Sequence, residues 1–285
     1  MSRWTTFKVG GPADLLLSPR SNEQLAYALS LAADLEIPVE VIGGGSNLIV
    51  RDGGIRGLVV AIRENLGGIT KTSPHRLLCA AGTRMTELSQ FAQELGLSGL
   101  EFAIGIPGTL GGAIFMNAGA YGAQIADTVQ TVDILDETLL LRRIEKEALA
   151  FSYRDSLFMQ RPAGSPWRIL SAELELIPDD PAQIRERMDT YTRERLSKQP
   201  VQFASAGSVF KRPQGYYTGK LIEECGLKGY SLGGAQVSQL HAGFIINTGG
   251  ATASDVLSLI ELIKMKVFEH SGVLLQTEVR IVGVD

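Results

Sequence analysis

Val39-Glu40-Val41-Ile42-Gly43-Gly44-Gly45-Ser46-Asn47 is the stretch on which the fold turns. The residues Val39–Ile42, following Ile37-Pro38, predict a short buried strand, and three glycines then stop it. Bare backbone at that point can approach a neighbour closely. Successive N–H groups in such a turn also form an anion nest of the kind that suits a pyrophosphate. A tight turn with no ligand is the other reading, and the stretch alone leaves both open. Its spacing does disfavour two common phosphate sites. Leu48 stands where the last glycine of G-x-G-x-x-G would fall, and no stretch matches G-x-x-x-x-G-K-[ST].

Outward from this loop the chain alternates short strands with helices. Toward the N-terminus, Ala13–Leu17 reads as a strand, and Ser21 caps a helix with Leu25, Leu29 and Ala32 at helical spacing. Toward the C-terminus, strands are expected at 58–62, 69–73 and 77–81. Thr83 is then expected to cap a helix with Leu88, Phe91, Ala92 and Leu95 on one face. Residues 129–135 and 139–144 flank Asp136-Glu137 as a hairpin, and 168–177 alternates as a strand before Pro178. A polar connector helix spans 179–199. The last block carries a helix over 254–270, with Val256, Leu259, Ile260, Ile263 and Val267 inward, stopped near Gly272, and a terminal strand over 275–282. The mixture is α+β.

At 285 residues there is room for one large or two to three ordinary domains. Hydrophobic residues at 45% and charged residues at 20% exclude a disordered chain. The 32 glycines exceed the usual ~7% and are clustered, which suggests sites built from backbone. A net charge of -4 argues against nucleic acid as the main partner. Cys79 and Cys225 are lone, and His75, His241 and His270 show no ligand spacing, so neither a disulfide framework nor a metal site is expected. No apolar run approaches the ~18 residues of a membrane span, and the N-terminus lacks a signal-peptide core, so the expected location is cytoplasmic.

A second glycine cluster, Gly105-Ile106-Pro107-Gly108-Thr109-Leu110-Gly111-Gly112, extends through Asn117-Ala118-Gly119-Ala120-Tyr121-Gly122. It offers many backbone donors beside a flat apolar surface, as a flavin ring would need. A loop with a close-packed helix start would have the same composition. Two such clusters separated by a helix favour an extended cofactor.

Both clusters, with Thr6-Phe7-Lys8-Val9-Gly10-Gly11-Pro12-Ala13, resemble the UDP-N-acetylenolpyruvoylglucosamine reductase family. So do Tyr153-Arg154-Asp155-Ser156, Ser205-Ala206-Gly207-Ser208-Val209-Phe210-Lys211 and Gly219-Lys220-Leu221-Ile222-Glu223-Glu224. Gly233-Gly234-Ala235-Gln236-Val237-Ser238, His241-Ala242-Gly243-Phe244 and Glu278-Val279-Arg280 complete the match. The motifs run in order along nearly the whole chain, and jointly they are highly specific. The interval from Tyr153 to Ser208 looks like the shorter family type, which lacks an extra substrate-covering loop. The chain begins almost at its Thr5-Thr6-Phe7 motif, so a flanking segment is expected to be missing. Arg212 stands where the family often has Asn.

The resemblance implies a vanillyl-alcohol-oxidase-like α+β fold. FAD-binding subdomains would span 1–66 and 67–198 (the latter with the connector helix), and a smaller α+β substrate domain 199–285. It implies FAD as cofactor, with Gly43, Gly44, Gly45, Ser46, Asn47, Gly105, Pro107, Gly108, Thr109, Gly111, Gly112, Asn117, Ala118 and Gly119 holding it. NADPH and UDP-N-acetylglucosamine enolpyruvate would be the substrates, with no membrane or obligate protein partner.

Saturating an enolpyruvyl ether puts hydride on the methylene carbon and drives charge into the carboxylate, so the site needs a cation, a hydrogen-bonding acid and a proton donor. The resemblance assigns these roles to Arg154, Glu278 and Ser208. Arg154 has a planar fork that stays charged. Glu278 is a carboxyl that enol oxygens nearby would keep protonated. Gly207 precedes Ser208 and Lys211 follows it. Tyr153, Lys211, Lys220, Gln236 and Asn247 are candidates for holding substrate. A flavin oxidase acting on an alcohol or hydroxy acid would share the glycine loops, and a UDP-sugar sensor would share the fold without turnover.

Overall fold

The structure, a computed structural model, describes residues 1–162 and 165–285. The chain forms two compact units, one of residues 15–44 and 57–194, the other of 1–14, 45–56 and 195–285. The second gathers the expected 199–285 block with two segments from the first sixty residues.

In the 15–44 and 57–194 unit, Ser21 caps the helix Asn22–Asp34 through its hydroxyl, which accepts from the Gln24 amide at 3.2 Å. Leu25, Leu29 and Ala32 are buried, as their spacing predicts. Val39–Ile42 pairs in parallel with the second half of Ile55–Ala61, from Val39↔Leu58 to Ile42↔Ala61. Only Ile42 in this strand is fully buried, because it is the edge strand of its three-stranded sheet.

The larger sheet here is antiparallel, in the order Leu141–Glu145, Val129–Leu135, Arg168–Glu175, Arg76–Ala80, Ile69–Ser73. The expected hairpin is present, closed by Asp136 Oδ1, which accepts from the Thr138 and Leu140 amides at 2.9 and 3.0 Å. Leu77, Cys79, Val132, Ile134 and Leu174 face a core shared with Leu88, Phe102 and Ile114. Burial among them pushes the Cys79 thiol up to about 12, so it is a core side chain.

The helix that follows the strand Arg76–Ala80 runs Met85–Glu94, and Thr83 does not cap it. The Thr83 hydroxyl is fully buried and instead binds both main-chain groups of Gly68, donating to the carbonyl and accepting from the amide at 3.0 Å each. Leu88 and Ala92 are buried on the expected face, with Phe91 and Leu95 packed half-buried beside them.

The other unit is built on an antiparallel sheet ordered Ala204–Ser208, Phe244–Asn247, Ala235–Val237, Ser231–Leu232. Its long helix, Ala253–Ser271, buries all five predicted positions and ends at Gly272 with φ +71°. Thr252 and Asp255 form a reciprocal capping box at its start. Both Asp52 carboxylate oxygens also accept from its first amides, Ala253 and Ser254, at 2.8 Å.

The terminal strand is shorter than expected. Only Arg280–Val282 is regular, parallel to Leu48–Val50. The chain before it bonds a different partner, the Val209–Lys211 segment, through an isolated bridge between Phe210 and Thr277. Among the described residues no helix is long and apolar enough to cross a membrane, and no cluster of His, Cys, Asp or Glu is placed to hold a metal.

Candidate active site

The two glycine segments pack on each other. A Cβ on Gly43 would run into the Thr109 hydroxyl, and one on Gly44 would lie 2.6 Å from the Gly108 Cα. Gly45, at φ +66°, would collide with the Trp4 carbonyl. Contact with the chain's own backbone therefore requires glycine at Gly44 and Gly45, whereas Gly43 meets only a threonine side chain, and of the two readings of this loop close internal packing is the one seen here. Arg63 supports this loop, donating to the Gly43 carbonyl at 3.3 Å and toward Gly44 at 3.5 Å. Its half-burial lowers its pKa. Nothing in the sequence singled it out.

In the second segment Gly105 ends a 3₁₀ turn, Glu101–Gly105, and Pro107 leads into Gly108. The Gly108 carbonyl accepts from Met85, while the Leu110 and Gly111 amides donate to Thr83 and Ala81. Gly111 abuts Ala81, and Gly112 faces Thr109. The Thr109 hydroxyl is buried and has no hydrogen-bond partner among the described residues. A buried hydroxyl in a loop of this kind calls for a partner from outside the chain. The segment therefore fits a flavin dinucleotide, with Thr109 as its clearest unspent polar group.

Arg154 sits in a turn closed by reciprocal bonds between Ser152 and Asp155, at 3.1 and 3.2 Å. Its φ of +54° is left-handed, which costs a non-glycine residue about 1–3 kcal/mol. Its guanidinium donates to the carbonyls of Asn117 at 3.3 Å and Gly119 at 2.7 Å. Asn117, also left-handed at φ +47°, is fully buried. Its amide donates to Gln124 Oε1 at 2.9 Å and the Ser152 carbonyl at 2.8 Å, and its oxygen accepts from the Ala126 amide at 3.2 Å. Both amide hydrogens are thus bonded within the protein. Ala118 is buried and Gly119 pairs with Gln124, so this loop is folded on itself. Tyr153, half exposed, lies beside Arg154 with the guanidinium carbon 5.5 Å from its ring centre.

Ser208 ends the strand Ala204–Ser208 at a β-bulge. Ser205 opposes Ile246 and Ser208 opposes Phe244, so one strand advances three residues while its partner advances two. Gly207, at φ +77°, takes up the difference, and open space surrounds the position where its Cβ would be. Glycine is needed there for its dihedral, and the bulge re-aims the serine that follows. Directly after it, the Glu278 amide donates to the Val209 carbonyl at 2.8 Å and the Lys211 amide to Gln276 at 2.8 Å. Ser208 and Glu278 are thereby carried on adjoining backbones. Asn47 also holds this pair, as its amide donates to the Glu278 carbonyl at 3.1 Å. The Thr6 hydroxyl donates to Ser205 at 2.7 Å, and the Thr6 amide to Gly45 at 3.1 Å. The N-terminal motif, the Gly45-Ser46-Asn47 end of the first loop and the serine strand are thus joined.

The substrate candidates divide. Lys220 is exposed on the helix Thr218–Glu224, with Glu224 3.7 Å away. Gln236 donates to Ser231 at 2.9 Å. Asn247 bonds the Phe7 carbonyl and the Gly249 and Ala251 amides, which gives its amide a loop-closing job. Arg212 lies 4.0 Å above the Tyr217 ring and donates to the Tyr216 carbonyl at 3.2 Å, ordering the loop after Lys211. His241 accepts from the Gly243 amide at 3.0 Å through Nδ1, and burial lowers its pKa.

A family model described as an FAD binding domain matches residues 13–139. One described as the UDP-N-acetylenolpyruvoylglucosamine reductase C-terminal domain matches 199–282. UDP-N-acetylenolpyruvoylglucosamine reductase of Clostridioides difficile (strain 630) is 45% identical over 285 residues, covering 100% of this chain and 92% of the relative. The protein of that description from Exiguobacterium sibiricum is 46% identical over 279 residues, covering 98% and 90%. The crystal structure of UDP-N-acetylenolpyruvylglucosamine reductase from Thermus caldophilus superposes with a TM-score of 0.79 at 35% identity, over 98% of this chain and 96% of that one.

Proposed function

The chain belongs to the UDP-N-acetylenolpyruvoylglucosamine reductase family, and from that premise we propose that Arg154, Glu278 and Ser208 carry the reduction of UDP-N-acetylglucosamine enolpyruvate. It is an FAD-containing oxidoreductase of peptidoglycan precursor synthesis, acting on a UDP-sugar. FAD, held by the Gly43–Gly44 turn and the 105–119 segment with the Thr109 hydroxyl, supplies the hydride that adds to the enolpyruvyl methylene carbon, and NADPH is the reductant.

As charge develops on the substrate carboxylate, Arg154 meets it with a fork held by the Asn117 and Gly119 carbonyls. A planar guanidinium matches a carboxylate in geometry and charge. Glu278, protonated, donates to the enol oxygens, and Ser208 gives its proton to the α carbon, yielding UDP-N-acetylmuramate. Tyr153, Lys211, Lys220 and Gln236 contact the substrate. Residues 1–66 and 67–198 act as flavin subdomains and 199–285 as the substrate domain, in the cytoplasm, without nucleic acid or an obligate protein partner.

The observation that carries this reading is the bulge at Gly207, which spends a special backbone geometry on aiming one serine beside the Glu278 strand. NADPH consumption by the FAD-loaded protein, with and without the enolpyruvyl sugar, tests it. Consumption that depends on the sugar and yields UDP-N-acetylmuramate is expected. Oxygen uptake driven by an alcohol would indicate an oxidase, and sugar binding without turnover a sensor. Either would overturn the assignment.

A further inference from the structure

We infer that Asn117 is a positioning residue acting through Arg154, an inference that rests on the reading of Arg154 as the group that holds the substrate carboxylate. Asn117 is tied to Arg154 directly at the guanidinium and to the Arg154 turn through Ser152. The Arg154 guanidinium donates to the Asn117 carbonyl at 3.3 Å, and the Asn117 amide donates to Ser152 in the Arg154 turn at 2.8 Å. A second stitch lies alongside, where the Ser156 hydroxyl donates to the Phe115 carbonyl at 2.5 Å. The 115–119 segment thus holds the arginine turn at its backbone and at its charged end.

Two left-handed non-glycine residues meet in this arrangement. Asparagine tolerates that conformation and arginine does not, so the Arg154 turn needs external support to keep it. Asn117 supplies it from a fully buried site, where its other two bonds, to Gln124 and Ala126, fix its own rotamer. A side chain with both donors committed to protein has little to offer a cofactor directly. It determines where the guanidinium lies, and a displacement of about 1 Å at a reacting group can cost on the order of 100-fold in rate.

The test uses FAD-loaded enzyme reduced with dithionite and mixed with the enolpyruvyl UDP-sugar in stopped flow. Asn117→Gly, Arg154→Ala and the double variant are compared with the native protein. Glycine keeps the left-handed backbone and removes only the amide. A lowered melting temperature with retained flavin is expected from the lost buried bonds, whatever the role of Asn117. Positioning adds a second effect. Flavin reoxidation by the sugar slows about 10–100-fold, yet the same substitution costs less than about twofold in the Arg154→Ala background, because the group it positions is gone.

A native reoxidation rate in Asn117→Gly, or effects that multiply in the double variant, would overturn the inference. A native rate in Arg154→Ala alone would instead remove the underlying reading, and that is visible without Asn117. If Asn117→Gly fails to hold flavin, Asn117→Asp takes its place in the comparison, keeping the acceptor for Ala126 and deleting both donors. Flavin loss in both would make Asn117 a folding or cofactor residue and end the proposal.

Discussion

The side-chain amide of Asn47 donates to the main-chain carbonyl of Glu278 at 3.1 Å, and the Asn47 carbonyl accepts from the Arg280 amide at 3.0 Å. These residues stand 231 positions apart, yet the end of the first glycine loop fixes the backbone of the proposed acid. Asn47→Ala should therefore lose about 0.5–1.5 kcal/mol of stability and also slow sugar reduction about threefold or more. Thermal melting and turnover, measured together, check this. A lower melting temperature with native turnover would confine Asn47 to the fold.

Two buried threonines should respond in opposite ways. The Thr83 hydroxyl bonds both main-chain groups of Gly68, so Thr83→Val should destabilise the protein by about 1–3 kcal/mol whether or not FAD is present. The Thr109 hydroxyl has no partner among the described residues. Thr109→Val should leave the flavin-free protein as stable or more so, while weakening FAD retention about 5–10-fold. Melting with and without FAD, and a flavin titration, separate the two. Equal destabilisation of flavin-free protein by both would contradict the account.

Gly44→Ala should damage the fold before it affects the ligand. Its Cβ would come within 2.6 Å of the Gly108 Cα, a backbone contact that no side-chain rotation relieves. Loss of soluble or cooperatively melting flavin-free protein is expected. A variant that melts natively but holds no FAD would show that Gly44 serves the cofactor alone.

Acid should weaken the larger sheet through Asp133. Arg143 donates to both its oxygens at 2.8 and 3.0 Å, and this pairing, assisted by Ser171 against the effect of burial, holds the carboxyl below its usual range. A carboxyl depressed in the folded state stabilises above its unfolded pKa of about 3.9, and the contribution is lost as pH falls through the lower folded value. The melting temperature should fall below about pH 4, and the gap between wild type and Asp133→Asn should narrow there. A gap independent of pH would contradict this.

The sequence displayed the helices well, because their apolar spacing, the Ser21 cap and the stop at Gly272 are local signals. It also displayed the residues of the candidate site, through motif order, though not their jobs. The resemblance places Asn47 and Asn117 among the cofactor contacts, but it does not display that the side chain of each also holds another part of the chain, because partners 231 and 35 residues away leave no local pattern. Thr83 looked like a cap for the same reason, standing before a helix while bonding Gly68. The bulge at Gly207 was half legible, since a glycine before the serine was visible but the register shift against Ile246 and Phe244 was not. Arg63 carried no signal at all.

The most direct measurement is on Ser208→Ala, with the two half-reactions followed separately in stopped flow. Proton delivery to the α carbon comes after hydride reaches the sugar and has no part in reduction of the flavin by NADPH. Near-native flavin reduction is expected, with reoxidation by the enolpyruvyl sugar slowed by about 10²–10⁴-fold, the usual contribution of a positioned general acid. Flavin reduction slowed as much as reoxidation, or reoxidation at the native rate, would contradict Ser208 as the proton donor.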